Sequence, residues 1–288
     1  MPNMNGKTVL ITGANQGIGK ASAIALGKMG AKLVLVCRNE VKAREAIVDI
    51  EKAGVKNVEL IVGDLGSQAD VRRVAAEFLA KHDRLDVLLN NAGLIVPSRR
   101  TTADGIEETL AINHLGPFLL TNLLLDVLKK TPNARVVTVS SRAHRGGRMH
   151  WDDLQLAHGY SVMKAYAQSK LCNILFTREL AKRLEGTGVT ANCLHPGVIA
   201  SGFGQTYGGA LSVIIKLAKP FLATTEDGAK TQVWLSSSPE VEGVTGKYFE
   251  KCAEAKPTKY ALEEAAPARL WEISEKLVGI AKRADVAA

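Results

Sequence analysis

Two residue pairs in this 288-residue chain have the types and spacing for proton transfer: Tyr166 with Lys170, and Tyr160 with Lys164. On a helix, positions i and i+4 share a face, so an ammonium can sit beside a phenol. A free phenol titrates at about 10, and a nearby cation favours the phenolate, giving an acid/base usable near neutral pH. Spacing alone does not choose between the two pairs, and Y-x-x-x-K arises by chance in many helices. Ser141 stands at the end of the apolar run 135–140. A serine there can turn its hydroxyl into a ligand crevice, although an ordinary strand-end turn serine fits the same pattern. No G-x-S-x-G elbow surrounds it, so hydrolysis by a Ser-His-Asp triad has no support.

A second group of residues has the chemistry of phosphate binding. Thr12-Gly13-Ala14-Asn15-Gln16-Gly17-Ile18-Gly19 lies between an apolar run and a helical segment. Glycines permit a tight turn and close approach of backbone to a phosphate, and a helix N-terminus offers free N–H groups and a positive dipole end. The spacing is G-x-x-x-G-x-G rather than G-x-G-x-x-G. About 20 residues further on, an NAD site places an acid for the ribose 2′-OH. Here the chain reads Val36-Cys37-Arg38-Asn39, with no acid. Arg38 is suited to a 2′-phosphate, with Lys20 as a helper. The expected cofactor is therefore NADP(H).

Alternating strands and helices must position these residues. Apolar runs at 7–12, 32–37, 58–63, 85–90, 135–140, 188–194 and 245–249 read as strands. Helices are expected at 17–29, 40–53, 68–81, 105–130, 160–185, 226–238 and 259–281, with Ser67 as the N-cap of the third. Near-continuous apolar strands alternating with helices imply a parallel sheet covered on both faces, wound by right-handed crossovers. Ligands in such sheets sit beyond the strand C-termini. Gly13, Asp64, Asn90-Asn91-Ala92-Gly93, Ser141 and Pro196-Gly197 all fall at those ends. No repeat or low-complexity linker divides the chain, so residues 1–288 read as one domain.

Composition narrows the class further. Hydrophobic residues make up 46% and charged residues 23%, which excludes intrinsic disorder. The net charge of +8 comes from Lys and Arg spread along the chain with acids between them, so nucleic-acid binding is not expected. The four cysteines form no C-x-x-C pair, and His144, His150, His158 and His195 are not spaced as a metal site. Residues 1–7 show no signal-peptide pattern, and no run reaches the ~18 apolar residues of a membrane span. The expectation is a cytoplasmic protein without a metal.

Taken together, these motifs resemble the short-chain dehydrogenase/reductase superfamily over about residues 5–250. The resemblance rests on T-G-x-x-x-G-I-G, Asp64-Leu65, Asn90-Asn91-Ala92-Gly93, Asn113, Ser141, Tyr166-x-x-x-Lys170 and Pro196-Gly197. It implies an α/β, single-domain, doubly wound Rossmann fold with a mostly parallel seven-stranded sheet. Ser169 before Lys170 matches the family's Y-x-[AS]-S-K and favours Tyr166 over Tyr160, and the family's serine pair on this strand, whose second member is catalytic, favours Ser141 over Ser140. Cys37-Arg38, the 25-residue step from Ser141 to Tyr166, His195-Pro196-Gly197-Val198 and Gly246-Lys247-Tyr248-Phe249 resemble the retinol-dehydrogenase-like and WW-domain-oxidoreductase-like subgroup. That subgroup mostly prefers NADP(H) and handles hydrophobic aldehydes, ketones and alcohols. Many of its members carry an N-terminal membrane anchor, for which this sequence shows no pattern.

Carried over residue by residue, the resemblance implies a site. Tyr166 would exchange a proton with the substrate oxygen, Lys170 would lower the Tyr166 pKa and hold the nicotinamide ribose, and Ser141 would hydrogen-bond the substrate oxygen. Asn113 would anchor a water beside Lys170. Gly13, Asn15, Gln16, Gly17, Ile18 and Gly19 would hold the pyrophosphate side. Asp64 and Leu65 would contact adenine, and Asn91, Ala92 and Gly93 the cofactor ribose. Pro196, Gly197, Val198 and Ile199 would flank the nicotinamide, with Ser201 on its carboxamide. The apolar segment 198–224 would form a lid over a greasy pocket; a membrane-surface helix or a packed core helix fits it too. Peripheral membrane contact and a homodimer stay open. So does a competing function: a cofactor-binding regulatory or scaffold protein that has lost its chemistry.

Overall fold

The computed structural model describes residues 2–197 and 224–280. One sheet runs through them in the order β3-β2-β1-β4-β5-β6-β7-β8. Its strands are β1 (Thr8–Thr12), β2 (Lys32–Cys37), β3 (Val58–Val62), β4 (Val87–Asn90), β5 (Arg135–Val139), β6 (Thr190–His195), β7 (Tyr248–Glu250) and β8 (Ala253–Glu254). Every pairing is parallel except β7 with β8. The sheet thus has eight strands where seven are expected. The eighth is two residues long and follows a two-residue turn, Lys251-Cys252, with both residues at positive φ. A strand so short has no alternation for a sequence pattern to reveal.

Adjacent residues of each strand feed opposite faces, as the two-residue period of a strand requires. On one face Leu10, Val34, Val36, Leu88 and Val136 pack with the helices α3 (Gln68–Lys81), α5 (Gly116–Leu123), α7 (Val162–Arg183) and α9 (Ala266–Val278). On the other, Val9, Ile11, Leu33, Leu35 and Leu89 pack with α1 (Gly17–Lys28), α2 (Glu40–Lys52) and α8 (Thr225–Ser237). Asn39 caps α2 by accepting from the Lys42 N–H at 2.9 Å, and Ser67 caps α3 by accepting from the Asp70 N–H at 3.3 Å.

The expected helix over 105–130 is broken. A single turn, α4 (Glu108–Leu110), runs into a π-helical turn at Ala111–Leu115, then α5, then α6 (Leu125–Lys130). Gly116 N–H reaches back five residues to the Ala111 carbonyl. Pro117 has no N–H to return to the Asn113 carbonyl, so α-helical bonding cannot continue through this turn. The expected C-terminal helix is likewise shorter: a 3-10 turn at Lys259–Leu262 precedes α9, which ends at Gly279 in the left-handed conformation.

Strand order reverses between β1 and β4, which opens a crevice at their C-terminal ends. Gly13 and Asn91 stand at those ends, and Ser141 and Pro196 just beyond the C-terminal ends of β5 and β6. The expected lid lies outside the described residues except for Thr224, as do Val198, Ile199 and Ser201.

Candidate active site

The loop after β1 is held by the loop after β4. Thr12 Oγ1 accepts from the Asn91 and Ala92 N–H groups, each at 3.0 Å, while Asn91 Nδ2 donates to the Thr12 carbonyl at 2.8 Å and the Gly13 carbonyl at 3.2 Å. Gly13 has φ +69, and a Cβ there would sit 2.9 Å from Ala92 Cα. A Cβ on Gly19 would strike both Asn91 Nδ2 and the Gly13 carbonyl. The backbone therefore runs closer to the crevice floor than any side chain permits. The N-cap of α1, Gln16, makes no side-chain bond to the helix end, and the first turn carries no acid. This glycine-formed cradle with an uncapped helix N-terminus fits the pyrophosphate of a dinucleotide.

At the adjoining strand ends, Arg38 follows β2 with its side chain 62% exposed, and its guanidinium lies 3.5 Å from Asp64. Asp64 Oδ1 also accepts from the Gly66 N–H at 2.8 Å. Leu65 is buried against Gly116, where a Cβ would meet the Leu65 carbonyl. Lys20, the expected helper of Arg38, instead pairs with Asp49 of α2 at 2.8 Å. Cys37 lies under the glycine loop, and burial pushes its thiol up to about 11.

The proton-transfer residues converge from three elements. Asn113 sits on the π-helical turn, fully buried, with its amide engaged at both ends. Oδ1 accepts from Leu94 N–H at 2.8 Å, and Nδ2 donates to the Leu94 carbonyl at 2.9 Å and to Ser169 Oγ at 3.0 Å. A Cβ on Gly93 would stand 3.2 Å from Lys170 Nζ and 3.4 Å from Asn113 Oδ1, so these three residues share one small space. Lys170 is 2% exposed and donates to the Val139 carbonyl at 3.0 Å. Asn173 Nδ2 donates to the same carbonyl at 3.1 Å. Burial pulls the Lys170 ammonium down to about 8. Its Nζ lies 5.7 Å from the centroid of the half-buried Tyr166 ring.

The two choices that spacing left open are resolved by local geometry. Tyr160 precedes α7, which begins at Val162. Its hydroxyl donates to the Val96 carbonyl at 3.2 Å, and Lys164 Nζ turns away to the Gly159 carbonyl at 2.7 Å. Tyr160 and Lys164 are therefore not a helical i, i+4 pair; Tyr166 and Lys170 are. Of the two serines, Ser140 is buried and donates to the Lys170 carbonyl at 2.7 Å, which fastens α7 to β5. Ser141 is half-buried at the head of a 3-10 turn, Arg142–Gly146, and its Oγ accepts from Ala143 N–H at 3.2 Å. That bond uses an oxygen lone pair and leaves the hydroxyl proton free to donate.

Beyond β6, Pro196 and Gly197 (φ +96) line a cavity of about 440 Å³ with Arg142, His195, Lys230 and Glu250. His195 is buried, and burial pulls its imidazole down to about 4, so it is neutral at physiological pH. Sequence reasoning misses Gln232 of α8, which donates to the Ile18 carbonyl at 3.1 Å and lies 3.4 Å from Asn91 Oδ1, tying α8 to the cofactor cradle. No motif marks it, because its partners come from 141 to 214 residues away in sequence.

Comparison with known proteins agrees with this geometry. The family model described as short chain dehydrogenase matches residues 7–209. Human retinol dehydrogenase 14 is 45% identical over 298 residues, covering 97% of this chain and 88% of its own length. Human retinol dehydrogenase 12 is 43% identical over 277 residues, covering 96% and 87%. Among solved structures, an uncharacterized protein from Mycobacterium paratuberculosis superposes with a TM-score of 0.80 at 31% identity, over 99% of this chain and 97% of its own. A short-chain dehydrogenase from Shigella flexneri, complexed with NADP, superposes with a TM-score of 0.69 at 25% identity, over 87% and 98%.

Proposed function

The chain belongs to the short-chain dehydrogenase family and to its retinol-dehydrogenase-like group, and on that premise we propose that it is an NADP(H)-dependent oxidoreductase interconverting a hydrophobic aldehyde or ketone and the corresponding alcohol. The reading rests above all on one observation. Lys170 is buried beside the Tyr166 ring, bonded to the Val139 carbonyl two residues before Ser141, and close to Gly93 in the loop that holds the glycine cradle. When bound, a nicotinamide dinucleotide supplies the hydride donor or acceptor.

This chain's residues then do the rest. Tyr166 delivers a proton to the substrate oxygen in reduction and removes it in oxidation. The Lys170 ammonium favours the phenolate and so keeps that proton mobile. Ser141 donates its free hydroxyl proton to the same oxygen as negative charge develops there. Asn113 locks Leu94 and Ser169 around Lys170 and keeps the group aligned. Gly13 to Gly19 receive the pyrophosphate, Asp64 and Leu65 the adenine, and Asn91 to Gly93 the ribose. Pro196 and Gly197 would flank the nicotinamide.

NADP(H) is favoured over NAD(H) by Arg38 at the end of β2, where no acid stands to hold a 2′-OH. The NADP complex of the Shigella relative supports the same choice. The hydrophobic substrate class is supported by relatives named for retinol. The test is NADPH consumption followed by absorbance across aldehydes and ketones, from small and polar to long-chain and aromatic. Tyr166→Phe serves as the control, with NADPH binding measured separately. Turnover that rises with apolar size and vanishes in a Tyr166→Phe protein that still binds NADPH is expected. Activity that survives loss of the phenol would refute the mechanism.

A further inference from the structure

The turn that carries Ser141 is only five residues of 3-10 helix, a form that does not sustain itself. It packs against α7, where a Cβ on Gly147 would meet the Ala167 carbonyl, but among the described residues the hydrogen bonds and ion pairs that leave the turn go to residues 250–258. Arg142 donates from Nε to Glu250 Oε2 at 2.7 Å, and from a terminal nitrogen to the same oxygen. The Arg145 guanidinium lies 3.6 Å from Glu250 Oε1, which also accepts from the Tyr248 hydroxyl at 2.8 Å. Thr258 N–H donates to His144 Nε2 at 3.2 Å, so the proton of that buried imidazole is on Nδ1, which donates to the Ser141 carbonyl at 2.6 Å. The His144 ring meets Tyr248 edge-on at 5.0 Å.

Glu250 is the hub of this arrangement. It is 9% exposed and lies opposite His195 in the β6–β7 register, one residue before Pro196. Burial alone would raise its pKa, but the hydrogen bonds from Arg142 and then Tyr248 hold it down at about 2. It is therefore a carboxylate throughout the working pH range. Nearby Lys247 pairs with Glu254 at 3.2 Å, so the Glu250 charge goes to the two arginines of the serine turn.

We propose that Glu250 is a positioning residue for the reaction: by clamping Arg142 and Arg145 to β7, it fixes the turn that aims the Ser141 hydroxyl at the substrate oxygen. The inference rests on the reading of Ser141 given above. It adds a residue of β7 to a site whose sequence-implied residues end at Ser201.

The test compares Glu250→Gln, Arg142→Gln and the double variant. The readouts are kcat with the best carbonyl substrate, Kd for NADPH by direct titration, and melting temperature. Each single change should lower kcat on the order of tenfold, since small misplacement of a catalytic group is costly, with the NADPH Kd within about twofold of wild type. The double variant should be no slower than the worse single one, because both changes break one clamp. An unchanged kcat, a loss seen in NADPH Kd instead, or losses that multiply in the double variant would overturn the proposal. If Glu250→Gln does not fold, Arg142→Gln breaks the clamp from its half-exposed side and carries the test alone. Ser141→Ala with full activity would instead overturn the reading of Ser141 itself, which keeps the two failures distinct.

Discussion

Lys170→Met should make the protein inactive and, at pH 7, more stable. Lys170 is 2% exposed and, among the described residues, donates only to the Val139 carbonyl, with no carboxylate as a hydrogen-bond partner. Burial lowers its pKa from 10.5 to about 8. At about 1.4 kcal/mol per pH unit, the folded state carries a penalty of roughly 3 kcal/mol for keeping this group charged. Losing the charged Lys170 hydrogen bond offsets about 1.5–3 kcal/mol of that relief. Asn173 Nδ2 still donates to the Val139 carbonyl, so no acceptor is orphaned. A methionine of similar length fills the space. The net gain is roughly 0–1.5 kcal/mol, or a rise in Tm of up to about 3 °C.

The pH dependence gives the sign. The folded pKa is the lower one, so between about pH 8 and 10.5 the unfolded chain binds a proton that the folded chain does not. Wild-type stability from this group therefore rises with pH across that window, and the whole penalty is present below it. The advantage of the methionine variant should be largest at pH 7 and should disappear by pH 10.5. Thermal melts of the cofactor-free proteins at pH 7 and near pH 10, with turnover measured in parallel, make the comparison. A methionine variant that melts below wild type at pH 7, or an advantage that does not change with pH, would refute the reasoning. Loss of turnover of at least ~100-fold is expected, the usual contribution of proton-transfer groups.

Two further substitutions probe the cofactor side. Arg38→Gln should reduce kcat/KM for NADPH relative to NADH by about 10- to 100-fold, the value of one charge-assisted contact to phosphate. Glutamine is preferred to aspartate because Asp64 lies 3.5 Å away and would repel a second carboxylate; equal losses with both dinucleotides would rule out the 2′-phosphate role. Gly19→Ala forces a Cβ onto Asn91 Nδ2 and the Gly13 carbonyl. It should cost about 1–3 kcal/mol in stability and weaken NADPH binding, so an alanine variant with wild-type Tm and Kd would contradict the close-approach geometry.

Much of the architecture is legible in the amino-acid order because its causes are local. Continuous apolar runs, the Ser67 cap and the glycines after β1 all act within a few residues. Arg38 and the missing acid at the end of β2 are equally local signals for the cofactor. The breaks in the 105–130 segment arise because Pro117 removes one hydrogen bond and Asn113 is held by Leu94 and Ser169, the latter 56 residues away. Helical periodicity continues through such a turn unchanged. Two-residue β8 is invisible for the opposite reason: it is too short to show any period.

At the site, residue types alone left Tyr160 and Tyr166 equivalent, and likewise Ser140 and Ser141. The family resemblance chose between them, and tertiary structure supplied the reason. Tyr160 lies outside α7 with its hydroxyl on Val96, and the Ser140 hydroxyl is spent on the Lys170 carbonyl. The sequence by itself determined the order of the main elements and the glycine-rich turn after β1, since these depend on neighbours in the chain, and only the start of α7 at Val162 singled out the Tyr166–Lys170 pair. Only the folded sheet decided that Lys20 goes to Asp49, that Gln232 reaches the cradle, and that Glu250 grips the serine turn from 108 residues away. Hydrogen bonds and ion pairs of that span depend on strand order and register, which bring distant residues together without leaving a mark at either position.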